Sequence, residues 1–164
     1  MTENILVIIK PDGMLKGHAG HVLSRFEETD LMLVGGRVVK VTRELAEKHY
    51  AHLKDKPFFV ELIRFLTGEL HQNHDMVLAL VFSGEDAVKI GRHIAGATNP
   101  ELAEPHSIRG SLGRVTTKGV FENVIHVSSD PGEGEREIKL WFTPDEVARD
   151  IFAVKTVNGR KEWL

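Results

Sequence analysis

The chain has 164 residues, 41% of them hydrophobic and 27% charged, and a formal net charge of −3. A chain of this length is expected to form one domain, residues 1–164, with a core large enough to need no disulfide or structural metal. The absence of cysteine excludes thiol catalysis and cysteine-ligated metal sites. The small negative charge argues against nucleic acid or a membrane surface as a partner.

The amino terminus reads MTENILVIIKPDG. It has no basic region, and its apolar run extends only from Ile5 to Ile9. We therefore expect neither a signal peptide nor a membrane-spanning segment. Together with the lack of cysteine, this favours a cytoplasmic location.

Strands and helices are expected to alternate in the first half of the chain. Short apolar runs indicate strands, and apolar residues at helical spacing indicate helices. In chain order we predict a strand at 4–10, a helix at 17–29, a strand at 31–41 with a bulge at Gly35–Gly36, a helix at 43–53 capped by Thr42, and a helix beginning at Pro57.

The second half continues the alternation, interrupted by one long segment. We predict a central strand at 76–82, a helix at 85–96 ending at Gly96, an irregular segment at 97–119, a strand at 120–127, and helices beginning at Asp130–Pro131 and at Thr143–Pro144. A long loop inside a compact domain is usually functional or disordered. The order of elements predicts a single α+β sandwich.

No glycine-rich phosphate loop is present. The sequence contains neither G-x-x-x-x-G-K-[ST] nor G-x-G-x-x-G. Any phosphate site must therefore draw on scattered cations, for which the candidates are Lys10, Arg92, Arg109, Arg114 and Lys118. Lys10 is the best of these, because it ends a buried strand beside a Pro–Asp–Gly turn.

His126 stands out among nine histidines. It closes a strand, where α/β-type sheets often place ligands and chemistry. A helix follows, which brings N–H groups and a positive dipole end, and Glu137 in that helix could orient the imidazole. A structural histidine, a catalytic base or nucleophile, and a metal ligand all fit these residues.

Two histidine pairs have spacings that could serve a metal. They are His49 with His52, and His71 with His74 beside Asp75. Neither pair has a third ligand in register, so surface histidines are the simpler interpretation.

Five blocks of the sequence resemble, in order, the signature blocks of the nucleoside diphosphate kinases. They read IIKPDGM, HYAHLKDKPFFVELIRFL, GATNPELAEPHSIRGSLG, NVIHVSSD and EREIKLWF, and the resemblance spans residues 3–150. It implies a ferredoxin-like antiparallel sheet sandwich with helices on one face. It also implies transfer of the terminal phosphoryl group of a nucleoside triphosphate, such as ATP, to a nucleoside diphosphate. The family uses a ping-pong mechanism through a phosphohistidine, with Mg²⁺ on the nucleotide phosphates, and forms homo-oligomers, either hexamers or tetramers.

The resemblance also suggests which residues carry the phosphoryl transfer. His126 matches the histidine that is phosphorylated, and Ser128 and Glu137 match its hydrogen-bonding neighbours. Lys10 matches the lysine that reaches the phosphates and the 3′ hydroxyl of the sugar. Tyr50 matches a tyrosine that lies beside this histidine and lysine.

The nucleotide-binding residues follow from the same blocks. Phe58 matches the aromatic residue that stacks on the base, and Leu62 lies beside it. Asn123 matches the asparagine that contacts the ribose. The residues matching the phosphate ligands are Arg92, Thr98 and Arg109.

The chain departs from the family pattern in several places. Val127 replaces a small residue after the histidine, and Ser129 stands where aspartate is usual. His106 and Ser107 enter the loop expected near the phosphates, a few extra residues separate Arg109 from Asn123, and the ELHQNHD stretch is long. Two other classes therefore stay open: a regulatory member of the fold that transfers phosphate poorly, and a metal-binding module built on the histidine pairs.

Overall fold

The computed structural model describes all residues from 1 to 164. The strands are β1 (Thr2–Ile9), β2 (Met32–Lys40), β3 (Met76–Glu85), β4 (Arg114–Val115), β5 (Phe121–Glu122), β6 (Ile125–Val127), β7 (Val154–Val157) and β8 (Arg160–Trp163). The α-helices are α1 (Pro11–Leu15), α2 (Ala19–Glu27), α3 (Arg43–His49), α4 (Phe59–Leu66), α5 (Ala87–Ala95), α6 (Ile108–Leu112) and α7 (Pro131–Trp141). Short 3₁₀ turns occupy Ala51–Leu53, Pro100–Leu102 and Pro144–Glu146. None of the helices is long and apolar enough to cross a membrane.

The main sheet has four antiparallel strands in the order β2-β3-β1-β6. The register places Ile8 of β1 opposite His126 of β6 and Ile9 opposite Leu78 of β3. This sheet and the helices packed on it confirm the predicted α+β, ferredoxin-like fold. The pairing of β1 with β6 brings the first strand next to the histidine that the sequence singled out.

Strand β1 is buried on both of its faces, and this decides where the helices lie. Ile5, Val7 and Ile9 pack into a cluster with residues of α2 and α5. Leu6 and Ile8 point the other way and pack with residues of α3, α4 and α7. The resemblance implied helices on one face, whereas the structure has helices on both faces. The reason is that every side chain from Ile5 to Ile9 is apolar, so both sides of the strand must be covered.

Several predicted boundaries agree with the structure. Thr42 caps α3 by accepting a hydrogen bond from the Leu45 N–H, and Asp130 caps α7 by accepting one from the Glu133 N–H. Gly96 ends α5 with a positive φ of 82°, and β2 has a register shift between Leu33 and Gly35. Helix α4 begins at Phe59 instead of Pro57.

Three sequence predictions require correction. The irregular segment 97–119 contains α6 and β4. The strand predicted at 120–127 is two strands, β5 and β6, which belong to different sheets. The helix predicted at Thr143 is only a 3₁₀ turn. Beyond it the chain pairs with the edge strand β2, since the Ala148 N–H donates to the Val34 carbonyl at 2.7 Å, and then forms the β7–β8 hairpin.

Helix α7 crosses β1 at a glycine. A Cβ added at Gly134 would lie 2.3 Å from the Asn4 carbonyl oxygen, whereas a Cβ at Gly132 of the same helix would meet nothing closer than 3.3 Å. The close approach of α7 to β1 therefore depends on the missing side chain at Gly134. This contact fixes the position of α7, which carries Glu137.

We predict that Gly134→Ala destabilises the protein by about 1–3 kcal/mol, because a backbone oxygen cannot move aside as a flexible side chain could. Urea unfolding would measure the change. Gly132→Ala is the matched control and should be neutral or stabilising by up to about 1 kcal/mol. Equal effects of the two changes would show that the crossing is not constrained at Gly134.

Candidate active site

His126 lies on β6 with its ring between the sheet and α7. Its side chain is 19% exposed, and its Nε2 lies 2.9 Å from Oε1 of Glu137. The Nε2 atom is buried and makes no well-aligned hydrogen bond, so its contact with the carboxylate is a close approach off the N–H axis. The exposed part of the ring therefore excludes Nε2, which leaves Nδ1 as the nitrogen available to another molecule.

Glu137 is buried and is held by Ser128. The Ser128 hydroxyl donates to Oε2 of Glu137 at 2.6 Å. The same Oγ accepts the Leu6 N–H at 2.9 Å. One carboxylate oxygen thus faces Ser128 and the other faces His126. A carboxylate fixed in this way can orient an imidazole and stabilise its positive form.

A second histidine, His49, packs behind the first. Its side chain is fully buried, and its ring lies edge-on to His126 with 4.5 Å between centroids. The indole N–H of Trp141 donates to Nδ1 of His49 at 3.2 Å, which places the proton of a neutral His49 on Nε2. Burial, and then the neighbouring charges of His126 and Arg136, hold the pKa of His49 well below its usual range. His49 is therefore neutral at neutral pH and does not compete for the charge of Glu137.

Lys10 follows the last residue of β1 and is buried. Its ammonium donates to Oδ1 of Asn123 and lies 4.3 Å from the centroid of the Phe65 ring. The Asn123 amide donates in turn to the Thr98 carbonyl at 2.7 Å. Burial is the main cause that lowers the pKa of Lys10 to about 8. The negative charge of Asp12 partly opposes this shift.

The backbone between β5 and β6 is strained at Val124. Its φ of 68° is in the left-handed region, which a β-branched residue rarely adopts. Two hydrogen bonds hold it there: the Val124 N–H donates to Asp12 at 2.8 Å, and its carbonyl accepts the Lys10 N–H at 2.9 Å. This local twist ends β5, points Asn123 at Lys10 and starts the strand that carries His126. Strain of this kind persists where the surroundings over-determine it, commonly at functional sites.

A cavity of about 370 Å³ opens beside Lys10. Its apolar lining includes Phe58, which is 47% exposed, with Leu62, Val120 and Phe121. Its polar lining consists of Lys10, Tyr50, Glu61, Thr98 and Asn123. Such a mixed lining suits a ligand that has both a flat ring and hydroxyl or phosphate groups.

The two predicted arginines differ in their surroundings. Arg109 on α6 donates hydrogen bonds to the carbonyls of Gly96 and Ile125, each at 2.9 Å. Ile125 directly precedes His126 in the sequence. Burial, together with the charge of Arg92, lowers the pKa of Arg109 to about 10. Arg92 lies exposed on α5. The two guanidinium groups therefore form a positive region at the His126 end of the site.

The structure brings the predicted residues into two adjoining groups. Lys10, Tyr50, Phe58, Leu62, Thr98 and Asn123 line the cavity, whereas His126, Ser128 and Glu137 form a second group, in which Ser128 donates to Glu137 and Glu137 lies 2.9 Å from Nε2 of His126. Ser107 caps α6 by accepting the Gly110 N–H. Neither His49–His52 nor His71–His74 is joined by two further potential ligands, but His49 and His71 are buried, so the interpretation as surface histidines is wrong for these two. The trio of such residues within 4.8 Å is His49, His126 and Glu137.

Sequence reasoning missed four residues of the site. Asp12 holds the strained turn, Phe65 faces Lys10, and the pair of His49 and Trp141 backs His126. Only the Pro–Asp–Gly turn gave a signal, because an aspartate there is expected to bond a nearby backbone N–H. Phe65 and Trp141 look like ordinary core residues of helices, and His49 was interpreted as a surface histidine, whereas it is fully buried.

Comparison with known proteins identifies the family. A family model described as nucleoside diphosphate kinase matches residues 3–147. The nucleoside diphosphate kinases of Staphylococcus aureus and Thermococcus kodakarensis are 45% and 41% identical to this chain, over 99% of it and over 98% and 92% of their own lengths. The chain belongs to the nucleoside diphosphate kinase family. It is therefore an enzyme of the phosphotransferase class, and the resemblance seen in the sequence is confirmed.

Solved structures of nucleoside diphosphate kinases have the same fold. One is the Borrelia burgdorferi enzyme in a transition-state mimic with vanadate and ADP. It superposes with a TM-score of 0.81 at 31% identity, over 90% of this chain and 91% of that one. Another is the Halobacterium salinarum enzyme in complex with CDP. It gives a TM-score of 0.80 at 38% identity, over 91% of this chain and 93% of that one.

The burial of Lys10 predicts a stability cost that depends on pH. The unfolded lysine binds its proton more tightly than the folded one, whose pKa is about 8 instead of 10.5. The protein should therefore become more stable as pH rises from about 8 to 10.5, because the buried charge is then lost. At pH 7, Lys10→Met should raise the free energy of unfolding by up to about 3 kcal/mol, since one pKa unit corresponds to about 1.4 kcal/mol.

Chemical unfolding at pH 7 and near pH 10 would test this. The gain from Lys10→Met should shrink at the higher pH. The control is Lys89→Met on the exposed side of α5, which should give no pH-dependent gain. A gain from Lys10→Met that is the same at both pH values would contradict a charge-based cost.

Proposed function

We propose that this enzyme transfers the terminal phosphoryl group of a nucleoside triphosphate to a nucleoside diphosphate through a phosphohistidine on His126. The observation that carries this proposal is the fixed series Leu6–Ser128–Glu137–His126, with distances of 2.9, 2.6 and 2.9 Å between its successive polar atoms. It holds one ring nitrogen against a buried carboxylate and leaves the other free. An oriented imidazole of this kind can serve as a nucleophile.

Each half-reaction follows from that geometry. The Nδ1 lone pair attacks the terminal phosphorus, and the bond from phosphorus to the bridging oxygen breaks, so the diphosphate leaves with the electron pair. The phosphorylated imidazole becomes positive, and Glu137 offsets this charge through Nε2. An incoming nucleoside diphosphate then attacks the same phosphorus through a terminal oxygen. The P–N bond breaks, and its electron pair returns to Nδ1.

The cations of the site are proposed to hold the phosphates. Phosphoryl transfer requires mainly positioning and charge stabilisation from the protein. Lys10 would reach the phosphates and the 3′ hydroxyl from the base of the cavity. Arg109, Arg92 and Thr98 would contact the phosphates near His126. These roles are supported by the hydrogen bond of Arg109 to the Ile125 carbonyl, next to His126, by the proximity of Arg92 to Arg109, and by the place of Thr98 in the cavity lining.

Magnesium is proposed to arrive on the nucleotide. The side chains assigned to the phosphates are cations and a hydroxyl, which are poor ligands for Mg²⁺ compared with carboxylate and phosphate oxygens. We therefore assign no carboxylate of this chain to the ion. When bound across the phosphates, Mg²⁺ would neutralise part of their charge.

The base is proposed to stack on Phe58, with Leu62 beside it. Stacking is tolerant of base identity, and the apolar residues Val120 and Phe121 line the same cavity. Asn123 would contact the ribose. A site that hydrogen-bonds the sugar and the phosphates, and contacts the base only by stacking, suits an enzyme that accepts several nucleotides.

A homo-oligomer remains a prediction. It is supported by strand β2, at one edge of the sheet, which exposes the apolar side chains of Met32, Leu33 and Val38. Apolar side chains on an edge strand favour contact with another surface.

Incubation with γ-labelled ATP and Mg²⁺ tests the proposal. We expect an acid-labile, alkali-stable label on His126 that added nucleoside diphosphate removes. His126→Ala should abolish both labelling and transfer while nucleotide still binds, because the cavity residues remain. His106→Ala, at an exposed histidine of the neighbouring loop, should label normally. Turnover in His126→Ala would overturn the phosphohistidine. A stable label that no diphosphate removes would indicate a regulatory protein instead.

A second prediction separates the two carboxylates near His126. Glu137→Gln keeps the size of the side chain but loses the charge that faces Nε2. Single-turnover phosphorylation should slow on the order of 100-fold, with little change in melting temperature. Asp130→Ala should do the reverse, because Asp130 caps α7 and its carboxylate makes no contact with His126. If Asp130→Ala stopped phosphorylation and Glu137→Gln did not, Asp130 would be the carboxylate that serves His126.

A further inference from the structure

The segment between α4 and β3 folds back against the cavity. It turns at Gly68, whose φ is 79° and where a Cβ would lie 2.1 Å from the His74 carbonyl oxygen, so only glycine fits. The His71 N–H donates to the Gly68 carbonyl, and the His74 N–H donates to that of His71. These turns bury His71, which is only 6% exposed, while Gln72 and Asn73 remain on the surface. A buried histidine in an otherwise polar turn needs an explanation.

The first contact of His71 is with Phe65. The two rings lie 4.4 Å apart between centroids at an angle of 66°. The same Phe65 ring lies 4.3 Å from the ammonium of Lys10. The face of an aromatic ring attracts a cation, and more strongly where water is excluded. His71 therefore packs against the residue that provides a favourable surface for the buried charge of Lys10.

The second contact of His71 is with Glu122. Its Nε2 lies 3.4 Å from Oε1 of Glu122. The other oxygen of that carboxylate accepts hydrogen bonds from Lys16 at 2.5 Å and Arg114 at 2.6 Å. Burial alone would raise the pKa of Glu122, but these hydrogen bonds outweigh it and lower the pKa to about 2. Glu122 is therefore a fixed anion, and the next residue, Asn123, is the one that accepts a hydrogen bond from Lys10.

We propose that His71 is a positioning residue for Lys10. It holds Phe65 from one side and Glu122 from the other, and through them it fixes the ammonium and its partner Asn123 at the base of the cavity. His71 reaches the lysine by two separate paths, one through an aromatic ring and one through a strand residue. Loss of the imidazole loosens both.

Other charges also face Lys10, and the test must separate them from His71. Asp12 on α1 and Glu122 on β5 favour the charged lysine, whereas Arg109 on α6 disfavours it. Burial lowers the pKa of His71 itself, so His71 is neutral at neutral pH and adds no competing cation. None of these groups is changed by a substitution at position 71.

The test measures the ionisation of Lys10 directly. Competitive acetylation with acetic anhydride, followed by peptide mass spectrometry across pH 6 to 10, reports the pKa of Lys10 whether or not the enzyme is active. His71→Gln should lower that pKa by roughly half a unit or more, because the ammonium loses part of its cation–π contact. The KM for nucleoside triphosphate at pH 8 should rise severalfold, with kcat nearly unchanged, since His126, Ser128 and Glu137 are not touched. The kinetic arm rests on the proposed function, whereas the acetylation arm does not.

Three further variants sharpen the result. His71→Phe keeps a ring against Phe65 but loses the contact with Glu122, so it should give a smaller shift, and it provides a well-packed alternative if His71→Gln does not fold. Phe65→Leu should shift the pKa of Lys10 in the same direction as His71→Gln. His74→Gln makes the same change three residues away, without contact to Phe65 or Glu122, and should leave Lys10 unaltered.

The proposal fails in either of two ways. If the acetylation profile of Lys10 is the same in wild type, His71→Gln and Phe65→Leu, His71 has only a structural role, which would show as a lower melting temperature alone. If the pKa of Lys10 rises in His71→Gln, the imidazole acts by excluding water and does not hold the ammonium.

Discussion

The hydroxyl of Ser128 joins the three parts of the molecule on which the chemistry depends. It accepts the Leu6 N–H of the central strand, donates to Glu137 on α7, and stands two residues beyond His126. Because β1 is buried on both faces, Leu6 cannot move, and because α7 crosses β1 at Gly134, Glu137 cannot move either. The position of the carboxylate relative to His126 is thus set by the packing of the sheet, and no separate loop is needed to align them.

The same rigidity allows the site to keep features that oppose stability. Val124 adopts a left-handed conformation that two hydrogen bonds hold in place. Its N–H donates to Asp12, and its carbonyl accepts the Lys10 N–H. Lys10 remains buried although burial lowers its pKa to about 8. The strained backbone at Val124 and the buried charge of Lys10 are each unfavourable alone. They stabilise each other, because the Lys10 N–H bonds the Val124 carbonyl and the strained turn directs Asn123 at the Lys10 ammonium. Natural proteins commonly depart from local structural rules where function requires it. Here the departures are concentrated within a few residues of the segment that leads into β6.

The sequence predicted the parts of the fold whose signals are local. The apolar runs gave β1 and β3, and Thr42 and Asp130 identified helix starts because a cap acts within three residues. Its signals failed where distant contacts decide the structure. The break at Val124 depends on Asp12, far away in the chain, and contradicts the local preference of a β-branched residue. The β7–β8 hairpin follows a capping signal that is real but too weak to hold a helix against pairing with β2. Local patterns singled out Lys10, His126 and Glu137 as candidates, together with Arg92 and Arg109. The other candidate site residues came from a family resemblance, which records such distant contacts without explaining them.

The two ends of the cavity follow different physical rules, and the difference bears on selectivity. Near His126, the buried Glu137 and the partly buried Arg109 are fixed by hydrogen bonds, so in the proposed mode of binding a displaced phosphate would lose several interactions at once. Phe58 is half exposed and lines the cavity with other apolar side chains, so a base stacked on it would gain contact area without having to match a hydrogen-bond pattern. Rejection of a ligand is strong only where it leaves buried polar groups unpaired. If nucleotides bind as proposed, selectivity comes from the phosphates and the sugar, through Lys10 and Asn123, and hardly at all from the base. Lys10 lies between the two ends. Its proposed positioning involves Phe65 and Glu122, and both of these residues contact His71, which does not line the cavity.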